Sequence, residues 1–528
     1  MMGKYTLFVK LSVVVFLVVL FSGLTGCGHS ERDYNTIYLV LDNDPKGLDP
    51  ALSTDFGTGQ ICALLFDNLV RFGDDTQLKP GIAKSWSISD DGLQYHFELN
   101  QGYNFTNGEE ITAEVVKASM ERVLNPKTHS LRTWLFTPIK GAQEYMDGQA
   151  SEVTGIQVDG PYKLTITLEQ TYAPFLGFLA MPAAAIVPAD VAQQRGSEFG
   201  ENPVGSGPWI LEDWVHDSVV KLRANPNYFY GKPQLERMEL KILPETFSVI
   251  AEFETGKLDR MDIPESEFKR WTQSEKWQPY IHKVHELNLF YIGLNCSRPP
   301  FNNKKVRQAM NYAVDIPTII KTTLHGAGVR SHGPIPPGLQ SYDSTQTPYP
   351  YDPEKAKQLL AEAGYPDGFD VELWQAQSST LNEITESFQA YYSRIGINVK
   401  LVRSDFNLFK AAIRQGEPDM YYLNWWADYP DAENFLYPLF YSTQAARRNR
   451  YSNPEVDRLI DENQHETDPQ KRIQIAREAN RMIYEDAPYV FLWHEITYEL
   501  TQPWVKNYSP AIMFNAQKFT GVRLEKSD

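Results

Sequence analysis

Long apolar runs are scarce in this chain. After residue 26 no segment has the length and apolarity of a membrane span, which takes roughly 20 apolar residues, so a water-soluble body is expected. Positive charge is short as well: 50 lysines and arginines stand against 67 aspartates and glutamates, a net charge of −17. Nucleic acid is therefore excluded as a partner, because binding it rests on neutralising phosphates with lysine and arginine. The motifs of catalysis are also missing. His282 and His285 lie in Ile281-His282-Lys283-Val284-His285-Glu286, whose order and spacing match neither H-E-x-x-H nor its inverse. Leu287, Leu289 and Tyr291 then alternate, so the segment reads as a strand and no metal site is expected. Gly205-Ser206-Gly207 is followed by Pro208-Trp209-Ile210, which cannot supply the amide-rich helix start that phosphate binding uses. A tight turn is expected there. With no nucleophile elbow and no Walker motif, the sequence leans toward binding and away from catalysis. Paired carboxylates stay open, since 67 acids always allow some pair in space. No cofactor is expected.

The one long apolar run is at the start. Lys4 and Lys10 precede Leu11 to Phe21, an apolar core of 11 residues, and small residues follow up to Gly26. A basic start, an apolar core and small residues before a cut site describe an export signal. Leu24-Thr25-Gly26-Cys27 resembles the lipobox of bacterial lipoproteins, which implies that Cys27 is acylated and begins the mature chain. An uncleaved anchor and a plain secretory signal are the competing readings. Removing residues 1–26 leaves 528 − 26 = 502 residues and, with two lysines lost, a net charge of −17 − 2 = −19. Cys62 and Cys296 could pair in an oxidising envelope or stay as free thiols.

A body of 502 residues exceeds a single core and is expected to form two to four domains. Aromatics make up 13%, with 29 tyrosines and 11 tryptophans, enough either for dense packing or for a cleft lined with ring faces. Strands and helices mix throughout. Tyr162, Leu164, Ile166 and Leu168 alternate with polar residues, as do Tyr95, Phe97 and Leu99 after the turn Asp90-Asp91-Gly92. Helix starts are marked by Asp352-Pro353, Asn453-Pro454 and Asp468-Pro469, and Gly364 and Ala487-Pro488 mark ends. Tyr489 to Trp493 reads as a buried strand. The composition is that of an α/β or α+β protein with more than one domain.

Several segments together resemble the extracytoplasmic solute-binding proteins of the oligopeptide, dipeptide and nickel type. They are Leu48-Asp49-Pro50, Leu65 to Val70, Pro80 to Trp86, Phe105 to Glu109 with Ile111 to Val116, Pro203 to Trp209, Asn225 to Phe229, Pro300-Phe301-Asn302, and Val306 to Ala309 with Tyr312 to Asp315. Most of these residues also have a plain architectural reading: Asn107-Gly108 is a turn pair, Val306, Met310 and Ala313 form a helix face, and Asp315 is a cap. The resemblance implies an α/β, two-lobed clamp of the periplasmic-binding-protein kind (type II, cluster C) with a satellite domain. One lobe would comprise 34–66, 205–289 and 498–528, the satellite 67–204, and the second lobe 290–497, with 27–33 as anchor linker. It further implies a monomer at the cell envelope that hands its ligand to an ABC permease in the cytoplasmic membrane.

The segment Leu423 to Asp431 resembles the family stretch whose acid pairs with a peptide's α-ammonium. By that resemblance Asp428 is the ammonium anchor, Trp425, Trp426 and Tyr429 supply backbone partners and walls, and Thr54, Asp55 and Phe56 form the opposite lip. Without the resemblance, Asp428 reads as the start of a turn at Tyr429-Pro430-Asp431. The dipeptide branch carries an arginine before a helix of the second lobe, whereas this chain has Gln375-Ala376-Gln377-Ser378-Ser379. A ligand longer than a dipeptide, or chemically different from one, is therefore expected. A non-peptide such as a nickel chelate or an oligosaccharide, and an exported hydrolase, are the rival functions.

Overall fold

The computed structural model describes residues 32–513 and 515–526, the side chains of Ser379 and Thr380 excepted. Cys27 and residues 1–26, where an export signal is expected, lie outside the described residues. Among the described residues no helix is long and apolar enough to cross a membrane.

Three sheets organise the chain. A four-stranded sheet runs in the order Thr36–Leu41, Arg237–Ile242, Val219–Ala224, Trp209–Val215. A second, fully antiparallel sheet has the order Ala83–Ile88, Gln94–Leu99, Lys163–Thr167, Ile156–Gly160. Its alternation was plain in the sequence, and the helix Ala113–Leu124 accompanies it with Val116, Met120 and Val123 buried. The third sheet has eight strands and is built on one long strand, Tyr489–Thr501.

The long strand belongs to two neighbourhoods. Tyr489 to Trp493 pair with Asn288–Leu294, and Ile496 to Leu500 pair with Ile281–His285. Asn288–Leu294 is buried at all seven positions, as expected of a strand with neighbours on both edges. Gly293 within it is obligatory, since a Cβ there would sit 2.3 Å from the Tyr421 ring. Its other neighbour is Met420–Trp426, followed by Asp370–Ala376 and Asn398–Ser404. The last two are parallel and joined through the helix Ser379–Ser393, as a parallel pair requires a crossover.

The helix starts read from sequence are real caps. Asp352, Asn453 and Asp468 each accept an amide of the first turn, with proline inside it, and Asp315 accepts from Thr318. Gly205 and Gly207 form a close crossing rather than a phosphate loop: a Cβ on Gly205 would lie 1.9 Å from the Leu65 carbonyl oxygen. Cys62 is buried, Cys296 partly so, and both are free thiols.

The two neighbourhoods meet at Asn288. The pairing of Asn288–Leu294 with the long strand shifts register between Phe290 and Tyr291. Beyond the shift the fully buried Asn288 side chain substitutes for the ladder. Its Oδ1 accepts the Glu495 amide at 2.7 Å and its carbonyl accepts His494 Nδ1–H at 2.6 Å. Burial holds His494 neutral by pushing its pKa down to about 4. Replacing Asn288 with alanine leaves the Glu495 amide without a partner, a loss of about 2 kcal/mol. Urea unfolding of Asn288→Ala, compared with the parent chain, is expected to show that decrease.

Candidate functional site

The strand Met420–Trp426 carries its residues on two faces, with Tyr421, Leu423 and Trp425 toward one core and Met420 and Tyr422 toward the other. On one edge all seven residues pair with Asn288–Leu294, while on the other only Met420 and Tyr421 pair, with Leu373 and Trp374. Among the described residues, Leu423 to Trp426 therefore have no strand on their second edge. Such an edge exposes backbone amides and carbonyls able to receive another extended chain.

Asp428 follows this open edge, and its position is fixed by buried polar groups. Asn434 Oδ1 accepts the Asp428 amide at 3.0 Å, and the Asn434 carbonyl accepts the Trp425 indole N–H at 2.9 Å. Arg448 covers the Trp425 ring at 4.9 Å. Glu433 is buried and takes hydrogen bonds from the hydroxyls of Tyr429 and Tyr172 and from Gln464. Arg472 grips Asp431 with two bonds of 2.7 Å. Each of these polar groups is matched, so the segment is rigid.

The Asp428 carboxylate is the exception. Among the described residues its one charged partner is Arg132, at 3.9 Å, and burial raises its pKa, with Arg132 opposing. Arg132 also donates to the carbonyls of Ser53 and Thr54, at 3.1 and 3.3 Å. The guanidinium thus ties Asp428 to the other lip. Thr54 and Asp55 are exposed, and Phe56 is 57% exposed. The Asp55 carboxylate caps the helix Phe56–Leu65 by accepting from the Thr58 amide. Trp426 is 42% exposed. Tyr429 lies inward, its ring against Phe178 and its hydroxyl committed to Glu433. Through Arg132 the structure thus links Asp428 to Thr54, while Trp425 is held by Asn434 and Tyr429 by Glu433. Arg132 and Asn434 were not singled out from sequence, and no local pattern marks either.

A groove of about 810 Å³ lies on the far side of this segment, lined by Tyr172, Tyr429, Asp431 and Arg472 among others. Its strongest polar groups are already paired with each other, which leaves little to recruit a ligand.

The family model for bacterial extracellular solute-binding proteins, family 5 (middle), matches residues 77–447. The chain is 31% identical over 519 residues to heme-binding protein A of Haemophilus influenzae, covering 93% of this chain and 92% of that one. It is 28% identical to the glutathione-binding protein GsiB of Escherichia coli, covering 88% and 90%. Among solved structures, the periplasmic binding protein DppA of Helicobacter pylori, in complex with the peptide STSA, aligns with TM-score 0.78 at 28% identity, covering 93% and 98%. HbpA2 of Haemophilus parasuis aligns with TM-score 0.80 at 27% identity, covering 93% and 100%.

The chain belongs to the family 5 extracellular solute-binding proteins.

This family 5 protein has the two-lobed clamp of its relatives and acts as the solute-binding component of an ABC importer, outside the cytoplasm. Its relatives are binding proteins, not enzymes. The segment Gln375 to Ser379, which lacks an arginine, proves to have one nearby. Arg403 is in register with Gln375 on the adjacent strand and bonds Asn382 and Glu386. Gln375 is fully buried and donates to Asn382, while its own Oε1 has no partner.

The raised pKa of Asp428 has a thermodynamic consequence. The folded chain holds this proton to higher pH than the unfolded chain, where aspartate titrates near 3.9. Ionisation therefore opposes folding once pH rises above the unfolded value. Asp428→Asn is expected to stabilise the ligand-free protein at pH 7 and not at pH 3. Because the side chain is 36% exposed, solvent screening limits the gain to about 1 kcal/mol or less. Urea unfolding at the two pH values measures it.

Proposed function

We propose that this protein captures an extended peptide between its lobes, with the peptide's α-ammonium on Asp428. The observation that carries this reading is the open edge at Leu423 to Trp426 running directly into an uncommitted carboxylate. An extended peptide can pair with that edge as an added strand, and a carboxylate in reduced solvent forms strong charge-assisted bonds with a cationic amine. Trp426 supplies an aromatic wall, Trp425 holds the strand end, and Tyr429 braces the turn beneath Asp428. Thr54, Asp55 and Phe56 close the opposite lip, where Arg132 stands in for the ligand until an ammonium displaces it.

The sheets support one lobe from 34–66, 205–289 and 498–528, a satellite from 67–204 and a second lobe from 290–497. Ligand held by both lobes favours the closed state only through its higher affinity for that state. A monomer tethered by acylated Cys27 would then present the closed form to the permease while staying near the membrane. One acyl chain binds membranes weakly, so a second acyl chain belongs to this reading.

Isothermal titration of Asp428→Asn is expected to show peptide affinity at least tenfold weaker, about 1.4 kcal/mol. N-acetylation of the peptide is expected to cost the parent chain a similar factor. Unchanged affinity in both arms would sink the ammonium-anchor reading. Separately, Cys27→Ser is expected to abolish incorporation of labelled palmitate in growing cells.

A further inference from the structure

A second group of acids gathers where the long strand exchanges its partner Asn288–Leu294 for Ile281–His285. Glu286 lies between Ile281–His285 and Asn288–Leu294, and Glu495 lies at the corresponding turn-over of the long strand. These are neighbouring crossings, because the Asn288 side chain binds the Glu495 backbone while Asn288 pairs in register with Trp426. Two strand spacings separate Trp426 from Glu495, about 10 Å. Glu265 follows the strand Arg260–Asp262 on one side of the cleft, and Glu383 lies on the helix Ser379–Ser393 on the other.

The acids differ in how they are compensated. Arg260 bonds both Asp262 and Glu499, and Tyr508 also donates to Glu499. Among the described residues, Glu265, Glu286, Glu495 and Glu383 have no ion pair. The charges bearing most on Glu286 are Glu499, Asp262 and Glu495, with Thr497 donating a hydrogen bond. Those on Glu495 are Glu265 and Asp262, and that on Glu265 is Glu383. Asp42 adds to the field at Asp262, and His282 reaches Glu499. Burial and this mutual repulsion push Glu286 up to about 8 and Glu495 up to about 7.

A separate observation points to a missing guest. Tyr422 is 4% exposed, and its hydroxyl has no hydrogen-bond partner although it lies in the field of Glu495 and Glu265. A buried hydroxyl without a partner is costly to the fold. An aromatic wall links it to the Asp428 segment, since Phe290 contacts the rings of Tyr422, Trp426 and Trp493.

We propose that Glu265, Glu286 and Glu495, with the Tyr422 hydroxyl, form a subsite for a cationic side chain, so that the protein prefers peptides containing lysine or arginine. The cation would satisfy Tyr422, whose oxygen can accept, and relieve repulsion among the acids. Glu265 and Glu383 approach from opposite sides, so a cation between them favours closure. An acidic peptide would offer no cation to these acids and would add a further carboxylate to the cluster.

This subsite rests on the peptide reading, and one set of titrations separates the two. Ala-Lys-Ala, Ala-norleucine-Ala and Ala-Glu-Ala are titrated at pH 7 into the mature chain, Glu286→Gln/Glu495→Gln and Asp428→Asn, with spermidine as a non-peptide cation. Thermal unfolding checks that the variants fold, and Glu265→Gln repeats the test at a site away from the strand crossings. The lysine peptide is expected to bind at least tenfold tighter than the norleucine peptide, with proton release as the acids ionise. The preference should fall below threefold in the glutamine variants, whereas Asp428→Asn should weaken the lysine and norleucine peptides alike. Equal affinity for these two in the parent chain overturns the subsite and leaves the peptide reading intact. Spermidine binding that depends on Glu286 and Glu495, with no peptide bound, keeps the subsite and overturns the peptide reading. No binding by any probe overturns both.

Discussion

The amide of Asn288 is the interaction on which this structure turns. Where the backbone ladder loses register, one buried side chain holds Glu495 from the long strand while its own backbone pairs with Trp426. Without it the passage of two strands between lobes would leave unpaired amides in a dry interior, a cost that native proteins seldom carry. On its other edge the long strand stays paired here, with Gly328 to Arg330 in register with Glu495 to Trp493, so the Asn288 side chain closes the one gap left at this point.

Rigidity and reactivity are divided sharply around Asp428. Asn434, Glu433, Asp431 and Arg472 consume one another's hydrogen-bonding capacity and fix the turn that carries the anchor. Asp428 receives its backbone position from that network but no comparable satisfaction of its carboxylate. Burial without full pairing raises its pKa, and the same condition makes a cationic amine a welcome guest. The instability is thus a property of the proposed binding site, placed on a scaffold that can tolerate it. Arg132 softens it in the empty cleft, since a pair near 4 Å and partly exposed attracts weakly enough to be displaced.

What the sequence disclosed was what lies close along the chain. Asp352, Asn453 and Asp468 could be read as caps because the amide each accepts is two or three residues away. Alternation at Tyr95 to Leu99 likewise needs only a strand of period two. Asp428 was reached through resemblance, since a lone acid before Tyr-Pro-Asp has an equally good reading as a turn. Arg132, Asn288 and Arg403 left no local trace, for each acts on a partner brought near by topology alone. Glu286 was passed over beside two histidines, and its meaning depends on a strand more than two hundred residues away. The missing arginine before Ser379–Ser393 was a true absence in sequence, yet Arg403 enters from the neighbouring strand, a register effect that no linear motif records.

Electrostatics across the cleft then gives the clamp two opposed tendencies. Arg132 and Asp428 attract across one end, while Glu265 faces Glu383 and Glu495 in mutual repulsion at the other. Attraction alone would close an empty clamp and hide the site, and repulsion alone would keep a loaded one open. In the proposed binding mode, a ligand bearing an ammonium and a second cation would reverse both, taking Asp428 from Arg132 and relieving the repulsion among the glutamates. Closure then follows from the ligand's own charge pattern, because a ligand can shift the equilibrium only by binding the closed state better. A neutral peptide would exploit the first contact without the second, and its closed complex would have to form against the remaining repulsion.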